Sequence, residues 1–167
     1  TPNLSDDFYR FYWDGNVVMD GENPYKQIPS LYEFRDPAKN EVKKTCFSSS
    51  INHFPDGMNS KYYYSVYPPM NQLVFTVAAS IAGTSLINNI ICIRIILILF
   101  ECLALFMFIR ILEKLSINSN RVWIYALNPL VIIEITGNLH FEGLTISLLL
   151  GAFYFILMGK KLTSGIM

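Results

Sequence analysis

The chain has 167 residues, 52% of them hydrophobic, and a mean hydropathy of +0.34, which is high for a water-soluble domain. Thirteen basic residues balance thirteen acidic ones, so there is no net field for holding nucleic acid. The three cysteines, Cys46, Cys92 and Cys102, form no CxxC pair and support neither a disulfide framework nor a zinc site.

In chain order, "SDDFYRFYWDG" predicts a short amphipathic helix from Ser5 to Asp14, with Ser5 or Asp6 as N-cap and Gly15 placed to end it. "GENPY", residues 21–25, reads as a turn, because Pro24 pushes Asn23 out of helical space. Residues 26–66 are polar and rich in proline and serine. They predict a long loop with one short helix near 28–34. Residues 1–66 are then an external loop.

Pro68 and Pro69 open an apolar helix over 70–82 that is too short to cross a bilayer, so 67–86 predicts a juxtamembrane or re-entrant element. Segments 88–112, 121–139 and 141–158 predict about three transmembrane helices, the second interrupted by Pro129. Arg110, Lys114 and Arg121 in one connection, and Lys160 and Lys161 after the last span, place those ends in the cytoplasm, with 159–167 as a cytoplasmic end. The expected fold is therefore all-α and membrane-integral, with "SDDFYR", "YPP" and "GNLHFEG" on the outer face. Thr1 is not an initiator methionine, no signal-peptide pattern opens the chain, and "LTSGIM" follows a helix directly. The expectation is a fragment of a longer membrane protein.

Each polar motif admits a structural and a chemical role. Asp6 and Asp7 can stabilise a helix N-terminus, and Arg10, four residues from both Asp6 and Asp14, can form an exposed salt-bridge chain. Adjacent carboxylates at a membrane surface can also take a proton from a hydroxyl nucleophile or hold a divalent cation. "GNLHFEG", residues 137–143, is either a hairpin whose His140 and Glu142 face water or the lining of a polar cavity. The spacing of His140 and Glu142 is not that of an HExxH metal pair, so any metal would need Asp6 or Asp7 as well. Arg94 can snorkel to the interface or offer a bidentate guanidinium to a phosphate. Glu101 and Glu134 lie deeper, either protonated or paired with a partner on a missing helix. "KYYYSVY", ending in Tyr67, is an interfacial aromatic belt or a sugar-stacking surface.

The ordered set "DD-x-YR-x-x-WDG", "NPY", "YPP", "NP" and "GNLHFEG" resembles the polytopic GT-C mannosyltransferases, above all bacterial members of Bacteroidetes type. The likeness runs from Ser5 to about Lys161. It implies a glycosyltransferase that moves a hexose from a polyprenyl-phosphate donor to a lipid, glycan or protein acceptor, with inversion at the sugar. The setting it implies is the bacterial inner membrane, with the active site facing the periplasm. Asp6 and Asp7 match the family's catalytic acids, Asp6 as base and Asp7 as helper. Arg94, and with it Arg10, would stabilise the phosphate, while His140, Glu142 and Tyr67 would bind substrate. A divalent cation, magnesium or manganese, is the one cofactor considered, with Asp6 and Asp7 as its ligands, and its requirement is open. Spans outside the chain would be needed for activity. The competing expectation is a transporter or lipid-handling protein, suggested by Arg94, Glu101, Glu134 and the proline-broken span.

Overall fold

A computed structural model describes residues 5–26, 28–30, 58–160, 163 and 165. The predicted helix near 28–34, most of the 26–66 loop and Cys46 lie outside the described residues. Those residues contain helices and no strand, as the all-α expectation required. The chain forms two compact units, Thr1–Ile93 and Arg94–Met167.

In the first unit, α1 spans Asp7–Met19. Ser5 starts it, its hydroxyl accepting from the Asp7 main-chain N–H at 3.2 Å and donating to the Asp7 carboxylate at 2.9 Å. The predicted end at Gly15 is not the real one. A Cβ on Gly15 would lie 2.4 Å from the Phe75 carbonyl oxygen. Glycine is there to let α1 pass close to its neighbour, and the helix runs on until Gly21, which adopts φ +80°.

That neighbour, α2, spans Pro69–Ala82. Pro69 occupies the first helical position, where its missing N–H costs nothing, and Pro68 O accepts from the main-chain N–H groups of Asn71 and Gln72. At 14 residues α2 is about 21 Å long, short of the roughly 30 Å hydrocarbon core. Phe11 of α1 stacks on Phe75 of α2 at 4.6 Å, and the Tyr67 ring meets both edge-on. Trp13, Val17 and Met58 form a second buried cluster, with Tyr9 packed against it.

The helix α3, Leu86–Lys114, is long enough at 29 residues to cross a membrane. In the second unit it is followed by α4 (Val122–Ala126), α5 (Pro129–Val131), a π-helical turn (Ile132–Gly137) and α6 (Glu142–Leu157). The stretch 121–139 is thus not one continuous helix. Asn128, held at ψ 118° by the following proline, accepts from the Leu130 N–H and restarts the chain as a new helix. Among the described residues, none of the helices after α3 is long enough to span alone. Pro129–Gly137 and Glu142–Leu157 reach spanning length only as a pair, bent by 112°. Leu139, buried at φ 62°, lies in that bend.

Candidate active site

Four of the predicted site residues, Asp6, Asp7, Arg10 and Tyr67, come together in the first unit. Both oxygens of the half-buried Asp6 carboxylate accept from one residue: Asn59 donates its main-chain N–H at 3.1 Å and its side-chain amide at 2.9 Å. Asp7 accepts from Ser5. Burial pushes the Tyr67 phenol well above the usual tyrosine range, and the charges of Asp7 and Asp14 reinforce this. Tyr67 therefore stays protonated. Its main-chain carbonyl in turn accepts from the Tyr25 hydroxyl at 2.6 Å.

Arg10 departs from the sequence reading. It is only 2% exposed, and its Nε donates to Asp14 Oδ1 at 2.7 Å, so the pair is buried rather than a surface chain. Nη1 donates to the carbonyls of Ser60 and Tyr63, while Nη2 has no partner among the described residues. The other Asp14 oxygen accepts from Ser65 Oγ at 2.5 Å and from Gln72 Nε2 at 2.9 Å. A guanidinium committed in this way holds chain segments together.

Among the described residues no group of three or more His, Cys, Asp or Glu is arranged for a metal.

The second unit holds Arg94, His140 and Glu142. Arg94 donates Nε to the Thr136 carbonyl and Nη2 to the Gly137 carbonyl, each at 3.1 Å, which satisfies the end of the π-helical turn. Glu101, seven residues on and so on the same face of α3, accepts from the Tyr125 hydroxyl at 3.3 Å. Its Oε2 also lies 3.3 Å from where a Gly143 Cβ would sit, in the first turn of α6. Glu134 accepts from the Asn138 amide at 3.3 Å. The deep acids thus find partners within the chain and need no missing helix. His140 Nδ1 stands 3.9 Å from Glu134 and 3.7 Å from Glu142, too far for hydrogen bonds and close enough to pair with both when protonated.

Sequence reasoning missed Asn59, Ser65, Gln72 and Tyr125. Asn59 and Ser65 lie in or beside a long aperiodic stretch, and contacts made 53 or 51 residues away leave no local pattern. For Arg10 and Asp14 the signal was present, in their four-residue spacing; only the burial was not.

One family pattern matches residues 1–167, that of the MptA_B family, described as alpha-(1->6)-mannopyranosyltransferase, N-terminal domain. The chain belongs to this family. No match was found among curated proteins or among solved structures. Membership of a mannosyltransferase family makes the chain part of an enzyme that takes a sugar donor and an acceptor, and the transporter expectation gives way to it. The long apolar α3 agrees with a membrane-associated transferase. Within such a mannosyltransferase, two half-buried carboxylates on the first turn of a helix, each already oriented by fixed donors, are suited to accept a proton from a hydroxyl group.

Proposed function

We propose that this chain carries the acid pair of a GT-C-type mannosyltransferase that uses a polyprenyl-phosphate sugar on the extracytoplasmic side of the membrane. The observation that carries this reading is the pair itself. Asp6 and Asp7 sit together at the start of α1, held by Asn59 and by Ser5, in a chain matched throughout by a mannosyltransferase family.

The chemistry is a direct displacement. Asp6 takes the proton of the acceptor hydroxyl as its oxygen bonds to the anomeric carbon. The bond from that carbon to the phosphate oxygen breaks, and the lipid phosphate leaves with the electron pair, inverting the sugar. A carboxylate oxygen has about two acceptor positions. The Asn59 bonds therefore leave Asp6 room for the incoming proton. Asp7 supports the charge beside it. The acceptor is a lipid, a glycan or a protein. The setting is a bacterial inner membrane.

The test is donor choice. Full-length protein in membranes is given radiolabelled polyprenyl-phosphate mannose or a labelled nucleotide-mannose, and label in acceptors is counted. Transfer from the lipid-linked donor alone is expected. Equal or faster transfer from the nucleotide sugar, in membranes unable to make the lipid-linked form, would reject the reading.

A further inference from the structure

The hydrogen bonds around the acid pair point to residues outside the proton transfer. An aspartate on the first turn of a helix has free χ1 and χ2 torsions, so its oxygens are not aimed by the helix alone. Here Asp6 is aimed by a distant segment. Asn59 grips it at two points, one N–H donor on each oxygen. The residues that follow Asn59 are tied to α1 three times: Arg10 donates to the carbonyls of Ser60 and Tyr63, and Asp14 accepts from Ser65. Beyond them the Tyr67 ring is wedged on Phe11 and Phe75, and its carbonyl is held by Tyr25. The buried ion pair thus secures the piece of chain that grips Asp6.

We propose that Asn59 is a positioning residue for Asp6, kept in register by the buried Arg10–Asp14 pair, and that it sets how the Asp6 carboxylate faces the acceptor hydroxyl. The inference rests on the acid pair being catalytic. It makes Arg10 a strut instead of a phosphate ligand. Displacement of a catalytic group by an ångström can cost about 100-fold in rate.

The experiment uses the full-length enzyme and polyprenyl-phosphate mannose, with initial rates measured over a range of donor concentrations. Asn59→Ala is compared with Asp6→Asn and Asp7→Asn, and every variant is also melted. The expected result is a fall in kcat of about 10- to 100-fold in Asn59→Ala, with donor KM within about threefold and the unfolding midpoint unchanged. A rise in KM at unchanged kcat would assign Asn59 to substrate binding and overturn the inference. So would loss of activity that tracks a lowered midpoint. If Asn59→Ala keeps wild-type kcat while Asp6→Asn and Asp7→Asn lose it, the inference fails and the acid-pair reading stands. If the aspartate variants are themselves fully active, both fail.

Discussion

Arg10 and Arg94 each bring a guanidinium against the chain, the first buried and the second partly exposed, and the two units neutralise it differently. In the first unit Arg10 meets a full counter-charge, Asp14, four residues along the same helix, and both side chains are closed off from solvent. In the second unit a carboxylate also follows on the same helix face, Glu101, yet Arg94 does not pair with it. Arg94 takes the carbonyls that end the π-helical turn, and Glu101 lies at the first turn of α6 with Tyr125. The difference follows from what each unit must satisfy. An ion pair in a packed, polar-lined interior needs its own partner, because an isolated buried charge is costly. A chain that bends by 112° within an apolar stretch instead exposes two helix ends, with unpaired C=O groups at one and N–H groups at the other. A cation at the C-terminal end and an anion at the N-terminal end suit the partial charges there.

The largest effect is expected where the full charge pair is broken. Asp14→Ala leaves Arg10 buried without its partner and should destabilise the folded protein by about 3–5 kcal/mol. Replacing both members, Arg10→Met with Asp14→Leu, should cost less than either single change in thermal or denaturant unfolding. A double variant as unstable as the sum of the singles would mean that the pair is not coupled as the geometry indicates.

A smaller effect sharpens the contrast at the other arginine. Arg94→Glu and Glu101→Arg should each lower stability by up to about 2 kcal/mol, since each puts the wrong sign at a helix end. The exchange of both should not restore it. Rescue by the double exchange would show that the two residues pair with each other and would remove the distinction between the units.

The smallest effect is in alkaline solution. The Tyr67 phenol is raised in the folded state, so its contribution to stability is complete below about pH 10, the unfolded value, and is lost as pH rises towards the folded one. Tyr67→Phe should therefore flatten the decline of stability above about pH 10, and an unchanged slope would show that Tyr67 does not carry it.

How much of this could be read in advance depends on the range of the contacts involved. The proline pair opening α2, the long apolar run of α3 and Asp6 as the N-cap of α1 are local signals, and each appears in the fold. Gly15 misled because its small size serves α2, 60 residues further on, and no local rule separates a helix-ending glycine from one at a helix crossing. The break at Asn128 and Pro129 was visible as a proline within an apolar run, but the sharp turn at Leu139 was not, since nothing marks a leucine for positive φ. At the site, the acids and Tyr67 stood out by type and motif, while Asn59 gained its meaning only when folding carried it to Asp6.

The central claim is that Asp6 and Asp7, oriented in the first unit, do the chemistry of this mannosyltransferase. Its most direct test is the rate of mannose transfer by the full-length protein carrying Asp6→Asn or Asp7→Asn, each confirmed to be folded. A loss of at least about 100-fold in kcat for Asp6→Asn, with a smaller loss for Asp7→Asn, is predicted. Wild-type rates in both variants would contradict it.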